Sequence, residues 1–219
     1  MKPTLYIDLE SIPAPEAYRD GIEVKAPGQY KKQDSIDKWI AENGDAARDE
    51  IHRKTSFNGG YGQVCAIAWA IDEGRIDSVH IGENRDEEET ALRAFVQGVT
   101  DSLPFSDVPE ICGHYVSGFD LRFLKQRCII HGIKMPYWLA KDYKPWELRD
   151  TMTMWAGNRD TIGLDELCRI LGIEGKGDMN GSQVYDAWMA GEHEKIADYC
   201  RDDVARVRFV DQKFKEAGL

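Results

Sequence analysis

The nine-residue run QVCAIAWAI, residues 63–71, constrains this chain most. It is apolar almost throughout, too short to span a bilayer, and bounded by the turn residues of SFNGGYG before it and DEG after it, so it reads as a central strand. Thr4 to Leu9 is β-prone and apolar enough to be a buried first strand, and Arg75 to Gly82 is the hairpin partner across DEG. Leu92, Phe95, Val96 and Val99 then fall at helical spacing within 86–99, behind acidic residues suited to a helix N-terminus. Pro109 to Tyr115 is a short strand that leads through Ser117 and Gly118 into a helix carrying Leu121, Leu124, Cys128 and Ile129 on one side. Residues 147–154 read as a last strand, 163–171, 183–190 and 193–216 as helices, and GIEGKGDMNGS as a loop. This order predicts an α/β fold with a mixed five-stranded sheet flanked by helices, because the hairpin supplies an antiparallel strand.

With 219 residues the chain is expected to form one domain, 1–219, interrupted by a polar insertion at about 16–60. The insertion carries charges throughout and few apolar residues, so one or two short helices are expected in it. The N-terminus MKPTLYIDLE lacks the apolar segment of a signal peptide, and the five cysteines are odd in number and form no C-x-x-C pair. They read as small buried hydrophobes in a reducing compartment, which predicts a cytoplasmic protein without a membrane partner. A net charge of −11 argues against a protein that coats nucleic acid by neutralising phosphates, while leaving room for an enzyme that holds a short single-stranded end.

Asp8 and Glu10 are two residues apart on a strand and so project from the same face. Two carboxylates held together repel, and protonation, solvent or a hard cation with oxygen ligands relieves the repulsion. Alone, D-x-E also describes a strand that ends in water. Asp120 follows a second strand and falls in the first turn of a helix, where an acid is favourable without further function. Tyr199 and Asp203, four residues apart on the C-terminal helix, share its shoulder beside the stripe Ile196, Cys200, Val204, Val207 and Phe214.

Together, YIDLES (6–11), GHYVSGFDLRFL (113–124) and YCRDDVARVRFV (199–210) resemble the three ordered motifs of the DEDD 3′→5′ exonucleases: D-x-E, then F-D before a helix, then Y-x-x-x-D. The stretch TIGLDELCRILGI (161–173) with NGSQV (180–184) is similar to the stand-alone PolB-like proofreading group. The resemblance implies a ribonuclease-H-like fold and a two-metal hydrolysis with Mg²⁺ or Mn²⁺, the ions expected for all-oxygen ligands. It implies that Asp8 bridges both ions, that Glu10 and Asp203 complete the site of the ion binding the attacking water, and that Asp120 holds the second ion. Tyr199 would orient or help deprotonate that water. The histidine branch places its base five residues before the last Asp, and that position is Asp198 here, so the resemblance selects the tyrosine branch (DEDDy). The family often has Asn where this chain has Tyr115.

Leu9, Ser11, Tyr115, Phe119 and Arg122, all within the motifs, and Lys176 in the loop are expected to touch the substrate, single-stranded nucleic acid with a free 3′ end, DNA favoured over RNA. His114 reads as a structural residue. Between 121 and 150, Arg122, Lys125, Arg127, Lys134, Lys141, Lys144 and Arg149 outnumber Asp142, Glu147 and Asp150. Interleaved with Tyr137, Trp138, Tyr143 and Trp146, they form a candidate substrate channel. An exoribonuclease of the same chemistry and a non-catalytic nucleic-acid-binding module remain the alternatives.

Overall fold

The computed structural model describes residues 2–103, 108–173 and 179–219. Five strands, β1 (Thr4–Ile12), β2 (Gln63–Ile71), β3 (Asp77–His80), β4 (Glu110–Gly113) and β5 (Leu148–Asp150), form one sheet in the order β3-β2-β1-β4-β5. β1 and β3 run antiparallel to β2, whereas β4 runs parallel to β1 and β5 parallel to β4. This is the expected mixed, ribonuclease-H-like arrangement.

Alternation along β1 divides the core. Leu5, Ile7 and Leu9 join Ile67 and Trp69 under α3 (Glu88–Ser102) and α4 (Asp120–Ile130), with Trp138 of the short α5 (Tyr137–Ala140). Tyr6 and Ile12 join Ala66, Ala68 and Ala70 on the opposite face, which is covered by α7 (Leu164–Ile170), α8 (Val184–Met189) and α9 (His193–Glu216). The three alternate alanines matter for the site. Their small side chains let α9 lie close across β1, β2 and β3, and α9 carries Tyr199 and Asp203. Two buried ion-pair clusters pin the layers. Glu88 of α3 binds Arg127, His131 and the Val64 N–H, and Asp211 of α9 binds Arg149, Lys215 and the Tyr6 hydroxyl.

β2 and α9 coincide with their expected bounds, and β3 is a trimmed version of the expected hairpin strand. Three expectations change. The last strand is only three residues long, because Asp150 accepts a bond from the Thr153 N–H (3.4 Å) and opens α6 (Thr151–Ala156). The helix expected from Ser117 begins at Asp120, and residues 114–119 form a tight turn with Tyr115 at φ 65°. The insertion holds a short α1 (Glu16–Asp20) and a long α2 (Gln33–Lys54), not short helices alone; α2 buries only Gly44 and His52. Among the described residues, no helix is long and apolar enough to cross a membrane.

Candidate active site

Asp8 and Glu10 point from β1 toward α9, and Asp203 comes from α9 to meet them: one ligand oxygen from each lies within 4.8 Å of the others. Next to Glu10 the ladder slips by one residue, since Glu10 faces Ala66 and Ser11 faces Val64, which leaves Cys65 as a bulge. Bulges re-aim side chains in this way beside functional sites. The Asp8 Oδ2 atom is buried and makes no hydrogen bond. An orphan carboxylate oxygen inside a cluster of acids is costly unless protonated or bound to a cation, so these residues fit a hard divalent ion. Burial pushes the Asp8 carboxyl well above its usual range, helped by the charges of Glu10, Asp203 and Asp120. The Tyr199 phenol, one turn before Asp203, is buried. Burial, the charges of Glu10, Asp203 and Asp8, and a hydrogen bond with Asp203 push its pKa above the ordinary phenol value. It is held as a neutral hydroxyl.

Asp120 stands beside this cluster and not within it. Past Tyr6, the last residue of β1 paired with β4, the Leu9 N–H donates to Asp120 Oδ1 at 3.1 Å. Burial pushes the Asp120 carboxyl up to about 7, with Asp150 adding repulsion and the Leu9 N–H opposing it. Asp150, which from sequence counts only as an acid of the 121–150 stretch, organises the 114–119 turn. Its carboxylate accepts from the Tyr115 N–H (2.9 Å), the Ser117 N–H (3.1 Å) and the Ser117 hydroxyl (2.7 Å). The signal available was an acid at the junction of a strand and a helix, the N-cap position. Tyr115 is half-exposed, and its ring lies over Gly118, where a Cβ would come within 2.3 Å of it. His114 binds Thr151 Oγ1 (3.0 Å) and the Ile162 carbonyl (2.8 Å).

The expected substrate contacts divide. Leu9 is buried, Ser11 Oγ donates to the Ser56 carbonyl (2.7 Å), Phe119 packs between Phe57 and Phe123, and Arg122 Nη2 reaches the Phe57 carbonyl (3.4 Å). Lys176 lies outside the described residues. Phe57, which from sequence is only part of the turn run SFNGGYG, is 66% exposed and lines a cleft of about 250 Å³ with Ser11, Ser56 and Tyr185. The basic channel does not survive as a unit. Arg127 is buried on Glu88, Arg149 binds Asp211, Lys141 binds Glu147 and Lys144 binds Asp142. Trp138 is a core residue, whereas Tyr137 and Trp146 are exposed.

No curated protein sequence matches the chain. Among solved structures it is similar to the family B DNA polymerase from the hyperthermophilic archaeon Pyrobaculum calidifontis, with a TM-score of 0.62 and 16% identity. The match covers 97% of this chain and 24% of that polymerase, so the chain spans about a quarter of its length. At that identity the likeness shows the fold alone. A family model matches residues 57–215, which include Asp120, Tyr199 and Asp203 and leave out Asp8 and Glu10. By that match the chain belongs to the family of predicted 3′–5′ exonucleases related to the exonuclease domain of PolB.

Proposed function

We propose that residues 1–219 form one exonuclease domain that shortens single-stranded DNA from its free 3′ end and releases nucleoside 5′-monophosphates, in the tyrosine branch of the DEDD enzymes. The observation that carries the reading is the cluster of Asp8, Glu10 and Asp203 with its orphan Asp8 oxygen. Asp8 would bridge two Mg²⁺ or Mn²⁺ ions, Glu10 and Asp203 would complete one site, and Asp120 would hold the other. When bound, such a pair supplies electrostatic stabilisation of the attacking and leaving oxygens of an in-line displacement.

The chain's own side chains do the rest. Tyr199, beside Asp203 on α9, would orient or help deprotonate the attacking water. Leu9, Tyr115 and Phe119 would contact the terminal nucleotide, with Ser11, Arg122 and Lys176 as further substrate contacts. The five buried free thiols support a reducing, cytoplasmic setting. The test compares 3′-labelled and 5′-labelled DNA and RNA oligonucleotides with Mg²⁺, Mn²⁺ or EDTA. Stepwise loss of the 3′ label from DNA, abolished by EDTA, is the expected result. Release of a 5′ label first, or full activity in EDTA, sinks it, and faster loss from RNA transfers the same chemistry to an exoribonuclease.

A further inference from the structure

We infer that Arg206 is a resident counter-cation of the acidic cluster, which steadies the metal-free protein and lowers its affinity for divalent ions. The inference rests on the reading of Asp203 as a metal ligand. Asp203 and Arg206 lie three residues apart on α9, and Arg206 Nη1 donates to Asp203 Oδ1 at 2.9 Å. Their side chains are only 10% and 7% exposed for Arg206 and Asp203 respectively. The guanidinium also lies 3.8 Å from Asp165 Oδ1 on α7, so it is held from two elements. An exposed pair at this spacing would be incidental. A buried one is committed, because neither partner has water to replace the other.

Arginine keeps its charge at every working pH, so the cluster always carries this cation beside Asp203. Two effects on an incoming ion then oppose each other. The hydrogen bond commits Oδ1 and fixes how the carboxylate turns, which favours binding through preorganisation. The fixed positive charge repels the ion, which disfavours it. A neutral amide can supply the first effect, and only a cation supplies the second. Arg206→Gln therefore separates them, while Arg206→Lys keeps the charge and loses the planar fork.

The experiment is Mn²⁺ titration by calorimetry, with melting curves in EDTA and in saturating Mn²⁺, on wild type and both variants. Arg206→Gln is expected to bind Mn²⁺ about tenfold more tightly. It should melt lower than wild type in EDTA and close to wild type in Mn²⁺, since the ion replaces the lost cation. Arg206→Lys should stay within about threefold of the wild-type affinity. Equal or weaker Mn²⁺ binding by Arg206→Gln overturns the inference, and so does a Gln variant that remains unfolded in saturating Mn²⁺. A wild-type protein that binds no Mn²⁺ sinks the metal reading itself, and this inference with it; wild-type binding with an unchanged Gln variant sinks the inference alone.

Discussion

The backbone N–H of Leu9 donates to Asp120 Oδ1 at 3.1 Å across a buried boundary, so the strand that carries Asp8 and Glu10 is tied to the helix that carries Asp120. This bond gives the Asp120 carboxylate a structural task beside its proposed ligand role, and two substitutions distinguish them. Asp120→Asn keeps an acceptor for Leu9 and should leave stability within about 1 kcal/mol of wild type while turnover collapses. Asp120→Ala strands a buried donor and should cost a further ~1–3 kcal/mol. Urea unfolding of both variants checks this, and equal stabilities would show that the Leu9 bond contributes nothing.

Tyr115 occupies the left-handed region at φ 65°, with its ring over Gly118. A bulky residue there costs roughly 1–2 kcal/mol, which Asn or Gly largely avoids. That is a physical reason for Asn at this position in the motif that the chain resembles. Gly118→Ala should destabilise the wild type by about 1–3 kcal/mol, because the new Cβ meets the phenol ring. It should cost under about 1 kcal/mol once Tyr115→Asn has removed the ring. A melting-temperature double-mutant cycle measures the coupling, and additive effects would mean that the ring is not held over Gly118 in solution.

Acid sensitivity should come from the buried pairs that hold the layers together. Burial alone would raise the Glu88 pKa, but Arg127, the Val64 N–H and His131 outweigh it and hold Glu88 below its ordinary value. Asp211 is likewise held low, where Lys215, Arg149 and Tyr6 outweigh burial. A depressed folded-state pKa contributes stability above the unfolded value, near pH 4, and that contribution is lost as pH falls through the folded value. The melting temperature should therefore drop steeply below about pH 4, and Glu88→Gln should flatten the slope there. Arg127→Met, which leaves Glu88 without its main partner, should cost about 3–5 kcal/mol at pH 7. A slope unchanged in Glu88→Gln would remove this pair from the account.

The anchoring of α2 predicts a gradient of protection along it. Its C-terminal end is tied by His52 Nε2 to the Ala14 carbonyl (2.7 Å) and by Arg53 to Asp186 (2.8 Å), and Thr55, in the turn that follows, accepts the Ala14 N–H (2.9 Å). The first two turns bury no residue. In hydrogen exchange, amides over 37–46 should open with the low free energies of a weakly packed element, well before those of β2. Uniform protection from Gln33 to Lys54 at the level of β2 would refute this.

Elements whose apolar pattern is long and unbroken were legible from sequence, and long-range pairings were not. β2 and α9 lie where their patterns place them, because continuous burial and helical periodicity leave few alternatives. α2 has charges on most of its surface, so no stripe announces its length. The strand ending in Asp150 is too short for any period, and its task at the 114–119 turn depends on β5 pairing with β4 and on a bond to Tyr115 across 35 residues of chain. The basic stretch 121–150 misled for the same reason: Arg127 meets Glu88 and Arg149 meets Asp211 at separations of 39 and 62 residues. Composition shows charges and cannot show which are already paired. The structure brings Asp8, Glu10 and Asp203 of the ordered motifs together, each from an element of clear type, whereas Asp120 opens α4 beside them.

The final prediction separates Tyr199 from the carboxylates. Its phenol is buried on α9, bonded to Asp203, and kept protonated by burial and the surrounding acids, so its proposed work is to orient the attacking water. Tyr199→Phe removes only the hydroxyl and should preserve packing and leave Mn²⁺ affinity near wild type. Turnover should still fall about 10- to 1000-fold, the scale of losing one oriented hydrogen bond to a reacting group. Asp203→Asn removes a ligand charge, and there affinity and rate should fall together. Single-turnover rates at saturating oligonucleotide, paired with Mn²⁺ titrations, distinguish the two patterns. A Tyr199→Phe enzyme that cuts at the wild-type rate would reduce Tyr199 to a core aromatic, and the tyrosine branch would then describe the sequence of this chain without describing its chemistry.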